Sequence, residues 1–182
     1  MKFSQLKAAF ELHCGTADLV DAAELAVWFN EAQNDLALYF APAVRAAYFE
    51  GQNQAADGTY PLPADCLRPL AVINEGSRRE LRPVISGQGR LYVPLGNFEL
   101  LYHKLPRPFT GLNGDEQSEL AEALHDLIPL FAAARYWDKE SEGDYAESAL
   151  GTKWMSYYFQ ARDTRHKLLQ GLSPLAAEWQ VV

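Results

Sequence analysis

The spacing of apolar residues changes period twice along this chain, and the changes mark out its elements. Near the N-terminus Leu6, Ala9, Phe10 and His13 fall at three- and four-residue intervals, which predicts a short helix capped by Ser4 and stopped by Gly15. Asp18 or Asp21 then opens a longer helix. Its buried face is expected to be Leu25, Trp28, Phe29, Ala32, Leu36 and Tyr39, with Glu24, Glu31, Asn34 and Asp35 off it. Pro42 interrupts the pattern, and Val44 to Phe49 resumes it for about a turn. The next stretch, GQNQAADG at 51–58, is polar and small and predicts a surface loop.

From Tyr60 the helical period is lost. Prolines at 61, 63, 69, 83, 94, 106 and 108 forbid long helices, and short β-prone runs lie between turn signals. Leu67 to Ile73 reads as a strand and Asn74–Ser77 as a turn. Arg79 to Ile85 reads as the hairpin partner, and Arg90 to Val93 and Phe98 to Leu105 as further strands. Four or five short antiparallel strands with prolines among them predict one small sheet with blunted edges.

After the turn-rich TGLNGDEQ the helical period returns. Leu120, Leu124, Leu127, Ile128 and Phe131 form one stripe, and Leu150, Trp154, Tyr157, Tyr158 and Ala161 a second. The acidic link Asp138–Asp144 (DKESEGD) between them is short enough to fold one helix back on the other, so Glu119 to Leu169 reads as a helical hairpin. Its stripes need partners, and the comparable stripes lie near the N-terminus. The expected fold is therefore α+β and mainly helical. An antiparallel bundle of N- and C-terminal helices (1–59 and 109–170) carries an inserted small antiparallel β subdomain (60–108), followed by an extended apolar tail (171–182).

Composition narrows the functional classes. With 48% hydrophobic and 12% aromatic residues over 182 positions the chain is globular. No apolar run approaches the roughly 20 residues of a membrane span, and the N-terminus lacks a signal-peptide core, so a soluble protein made inside the cell is expected. Cys14 and Cys66 form no CxxC and stand in separate segments, as buried thiols would. The net charge of −8 is uneven: residues 108–147 hold 10 acidic and 2 basic residues, residues 66–107 hold 3 and 7. The acidic stretch is either a solvated face or a surface that repels an anion or steers a basic partner. Basic clusters with interleaved aromatics, the footprint of a nucleic-acid grip, are missing.

Candidate chemistry is sparse. The four histidines, His13, His103, His125 and His166, fall in four separate elements with no metal-ligand spacing to either cysteine, so no metal or cofactor is expected. His125-Asp126 is placed within a helix as a satisfied surface or core pair. Gly87-Gln88-Gly89 is a turn too short for a phosphate loop. Glu119, Glu122 and Asp126 are expected along one helix side, which keeps open a two-carboxylate glycan hydrolase as an alternative, beside a generic helical interaction module. No catalytic residue is assigned. The apolar tail, with Leu172, Leu175, Trp179, Val181 and Val182, either folds back on its own core or anchors in a groove of another protein.

Four stretches carry a resemblance. Asn30–Ala37 (NEAQNDLA), Tyr60–Arg68 (YPLPADCLR), Leu101–Pro106 (LYHKLP) and Asp126–Trp137 (DLIPLFAAARYW) stand in this order. Together they resemble the NEAQ-type helix, the entry to the β insertion, its closing strand and the following helix of tailed-bacteriophage head-to-tail adaptor (connector) proteins. The match spans about residues 20–165; the Pro42 break and the 51–58 loop depart from the pattern. The resemblance implies a structural virion protein at the neck of the capsid, made in the host cytoplasm. It implies a dodecameric ring that docks on the portal protein, extends the DNA channel and meets the tail or a stopper protein. The family has no universal catalytic residue, although some relatives have been credited with peptidoglycan hydrolysis. It also implies that the tail is the portal-docking segment. DNA passes such a ring without specific binding, and the acidic positions Asp115, Glu116, Glu119, Glu122, Asp126, Glu140, Glu142 and Asp144 would supply the anionic channel or interface face.

Overall fold

The computed structural model describes residues 1–15, 20–40, 44–55, 57–86, 89–93, 96–140 and 145–171, the side chains of 145–148 and 171 excepted. The chain divides into a unit built from residues 1–40 and 107–182 and a second unit, residues 41–106. The described residues contain four α-helices and two small antiparallel sheets, so the fold is α+β.

The helical unit contains α1 (Phe3–Cys14), α2 (Ala22–Phe40), α3 (Leu127–Glu140) and α4 (Tyr145–Gly171). Helix α3 is its centre, packing against each of the other three. Eight of its residues are buried, among them Leu127, Ile128, Phe131, Ala132 and Tyr136, which explains its near-continuous apolar sequence. Pro129 is tolerated because it sits in the first turn, where a backbone N–H has no helical partner. Leu6 and Phe10 of α1, Leu25, Phe29, Ala32 and Leu36 of α2 and Tyr158 of α4 complete the core. Gly151 lets α4 close on α3: a Cβ there would lie 3.0 Å from the backbone nitrogen of Asp138.

Several helix boundaries differ from those expected. Helix α1 starts at Phe3, before Ser4, because Lys2 takes the cap position and its N–H donates to Gln5 Oε1 (3.0 Å). Gly15 does end it. Asp21 is the residue that opens α2, its Oδ1 accepting the Glu24 N–H at 2.7 Å. The stripe expected from Leu120 onward is not one helix. Glu122–Leu124 is a 3₁₀ turn and α3 begins only at Leu127, although Leu124 is buried and Leu120 packs on the same core. On α4, Tyr158 is fully buried and Trp154 half-buried, while Tyr157 is 45% exposed; Tyr39 of α2 is exposed as well.

The second unit holds a sheet of order β1-β7-β3-β4 and another of order β2-β6-β5. The strands are β1 (Val44–Phe49), β2 (Thr59–Pro61), β3 (Cys66–Asn74), β4 (Glu80–Leu81), β5 (Val84–Ile85), β6 (Arg90–Tyr92) and β7 (Phe98–Lys104). Three stretches depart from the expected pattern. Val44–Phe49 is a strand and continues no helix: it pairs with β7 from Val44↔His103 to Phe49↔Phe98, and Ala47 and Phe49 pack on a core of Tyr60, Val72, Phe98 and Leu100. Tertiary pairing of a β-branched and aromatic stretch overrides the weak helical period. Arg79–Ile85 is not one strand, because Pro83 divides it; β4 pairs with β3 and β5 with β6 in the other sheet. The 51–58 loop does pack in part, since Gln54 donates through Nε2 to the carbonyls of Gly58 and Val93.

Candidate interaction surfaces

The NEAQ stretch on α2 has a mechanical use. Asn30 brackets the backbone of Phe109 from both sides, its Nδ2 donating to the Phe109 carbonyl (2.9 Å) and its Oδ1 accepting the Phe109 N–H (2.8 Å). One turn on, Gln33 is buried, and its Oε1 accepts the hydroxyl of Ser118 at 2.8 Å. The ring of Phe109 then packs edge-on against Phe3 and Phe29. Two amide side chains on one helix face therefore fasten the segment after the β unit to α2. Gly111 makes the fit possible. At its φ of 75° a side chain is strained, and a Cβ would meet the Ala22 carbonyl oxygen at 2.3 Å. The YPLPADCLR stretch does similar work in the other unit, where Asp65 accepts the Tyr102 hydroxyl (2.9 Å) and pairs with Arg45 (2.8 Å). Burial would raise the Asp65 pKa, but these hydrogen bonds and the guanidinium outweigh it and hold the carboxyl below its ordinary range.

The acidic positions fall into three kinds. Glu116 and Glu119 hold the 107–119 segment. Glu116 accepts the Thr110 hydroxyl and N–H and the Gly111 N–H, and Glu119 accepts the Arg107 N–H. The hydroxyl bond from Thr110, more than any other contact, keeps the Glu116 pKa low. Asp115 and Asp126 are ion-paired, with Lys2 and Arg165, both at 2.8 Å. Glu122, in the 3₁₀ turn, and Glu140, ending α3, are exposed. Glu142 and Asp144 lie outside the described residues, as do Leu172, Leu175, Trp179, Val181 and Val182 of the tail. Glu119, Glu122 and Asp126 do not share a helix side, because α3 begins after all three.

Two clusters escaped the sequence reading. Tyr158, fully buried, donates its hydroxyl to Asp35, which also pairs with Arg162 (3.1 Å); the guanidinium lies over the Tyr39 ring at 3.9 Å. Burial and the Asp35 bond raise the Tyr158 pKa far above its ordinary value, so it serves as a hydrogen-bond donor. The second cluster surrounds His125, buried just before α3 and outside the helix in which it was expected. Its Nδ1 accepts from the Met1 ammonium (2.7 Å), and its Nε2–H donates to the Leu120 carbonyl (2.9 Å). Burial first, and the ammonium second, push its pKa down. Asp35 and Tyr158 are 123 residues apart and Met1 and His125 124, separations that helical periodicity cannot register.

Burial raises the Cys14 thiol to about 12, which makes it unreactive; Cys66 is half-buried and shifted the same way. Among the described residues no three His, Cys, Asp or Glu side chains gather as metal ligands would. Nor, among them, is any helix long and apolar enough to cross a membrane. A family model described as SU10 adaptor protein matches residues 1–177. No curated protein matches the chain.

Proposed function

Because the chain belongs to the SU10 adaptor protein family of phage head-to-tail adaptors, we propose that it forms a ring under the portal at the capsid vertex, extending the DNA channel and joining head to tail. The family match across residues 1–177 is the observation that carries this reading. It makes the chain a bacteriophage structural protein of the head-tail connector class. The helices act as an antiparallel bundle forming the body of each subunit, and twelve copies of the chain close the ring to match the portal. The distal face receives the tail or a stopper protein.

Charge supports a channel role. Residues 1–40 and 107–182 carry 18 acidic against 9 basic side chains, whereas residues 41–106 carry 6 against 7. DNA slides past an anionic wall, while a wall of Lys and Arg would gain affinity by releasing counterions. The apolar segment 171–182 is the anchor that docks in grooves of the portal, through Leu172, Leu175, Trp179, Val181 and Val182.

The test is negative-stain imaging and pull-down with purified portal. Full-length protein is expected to form rings on the portal, and a chain lacking 171–182 to remain folded without binding it. Failure of the full chain to bind any portal of its own phage would refute the connector role. A truncated chain that still binds would refute the anchor alone.

A further inference from the structure

Strand β1 is an edge, pairing among the described residues only with β7. Its six-residue register is unbroken, whereas β3 on the far side of β7 carries Pro69 and two irregularities, and the opposite edge, β4, is two residues long. The devices that blunt an edge are missing from β1: it has no proline, no bulge and no lysine, and its one charge, Arg45, is held by Asp65. One face of the strand presents Val44 (58% exposed), Ala46 and Tyr48 (55% exposed). An extended apolar edge of this kind is a template for another strand.

The chain carries a segment that fits it. Residues 177–182 contain neither Gly nor Pro; Ala177, Trp179 and Val181 share one parity and Glu178, Gln180 and Val182 the other. Residues 172–176, between Gly171 and this segment, span up to about 17 Å when extended, which gives the six residues a tether with which to reach another molecule. We propose that, before the portal is met, residues 177–182 of one copy add as an antiparallel strand to β1 of a second copy. Trp179 then lies opposite Ala46, large against small, with Val181 opposite Val44 and Ala177 opposite Tyr48. Gln180 and Glu178 fall on the face of Arg45 and Ala47. One contact covers both liabilities, an open edge and an apolar tail. It rests on the proposed function in one respect, that the portal later takes the tail, so that docking competes with this exchange.

The experiment uses the full chain, by sedimentation over a concentration series and by amide hydrogen exchange of residues 44–49. Self-association is expected, with slower exchange in β1 on concentration. Ala46→Lys, at an exposed position, and Trp179→Ala, outside the described fold, should each weaken association by about tenfold or more. Ala46→Lys should still bind portal, which separates this contact from the anchor. Exchange in β1 that is independent of concentration, or association unchanged in both variants, overturns the proposal. Failure of the tail-deleted chain to lose portal binding would instead count against the anchor.

Discussion

Asn30→Ala removes both halves of the clamp on Phe109, and its cost can be worked from the geometry. Two hydrogen bonds of 2.8 and 2.9 Å to the backbone of Phe109, itself 4% exposed, disappear, together with a longer one of 3.3 Å from Gln33 Nε2. Each bond is worth about 1 kcal/mol net, and a donor or acceptor left buried without a partner costs about 1–3 kcal/mol. Some of that cost is relieved where water reaches the carbonyl, so a loss of about 3 kcal/mol is expected in the helical unit. For a chain of this size that corresponds to a fall of roughly 6–12 °C in Tm. Asn30→Asp keeps the acceptor for the Phe109 N–H and loses the donor, so it should fall between Ala and the parent. Urea unfolding followed by helical circular dichroism measures the loss, and amide exchange should show residues 107–119 opening well before the helices. A loss under about 1 kcal/mol, or unchanged exchange in that segment, would show that Phe109 is held by its ring packing and not by Asn30.

Gly111→Ala places a Cβ against the Ala22 carbonyl in a left-handed conformation, and urea unfolding should show a loss of about 3 kcal/mol or more. Trp154→Ala should cost about 2 kcal/mol, below the roughly 3–5 kcal/mol of a fully buried ring, because Trp154 is half-buried beside His13; a thermal melt distinguishes the two. His125 should make stability depend on pH. Its folded pKa is lowered beneath an unfolded value of about 6.5, so the folded state binds fewer protons, and stability present above that value is lost as pH falls from it toward the folded pKa. Burial lowers His13 in the same direction, and the shifted carboxylates respond only at lower pH. Urea midpoints at pH 7.5 and pH 5.5 should differ less in His125→Gln than in the parent, and an equal difference in both would remove His125 as the cause.

What could be read from the sequence follows what each pattern encodes. Strict three-and-four spacing found α2 and most of α4, and the turn residues around 74–77 and 96–97 found β3 and β7, because these signals are local. The strand β1 was missed because VRAAYF has no clean alternation of its own; only pairing with residues 98–103, half a hundred positions on, makes it a strand. For Leu120 and Leu124 periodicity predicts a helix that the structure does not form. Core contact needs only an apolar side chain at the right place, and an irregular segment pinned by Asn30, Gln33 and Glu119 supplies it. The resemblance worked for a related reason. Asn30, Gln33 and Asp65 lie in the stretches that carry the resemblance, yet their work is done across separations of 79, 85 and 37 residues.

The same clamps bear on how the acidic surface acts. A carboxylate that is ion-paired nearby contributes little field beyond a Debye length of about 8 Å at physiological salt. Asp115, Asp126, Glu24 and Glu31 are paired in this way, with Lys2, Arg165, Lys139 and Arg135. Glu116 and Glu119 are different. Neutral backbone and hydroxyl donors fix both side chains, and the Thr110 hydroxyl leads in lowering the pKa of Glu116, with the Arg107 charge adding to it. With the exposed Glu122 they place three carboxylates along a segment that Asn30 and Gln33 keep in place. In the channel wall proposed above, rigidity would matter, because a fixed charge repels at a fixed distance, whereas a mobile side chain can turn aside. The role proposed for the acidic face thus falls first on Glu116, Glu119 and Glu122, and the amide clamp on α2 is what gives them a defined position.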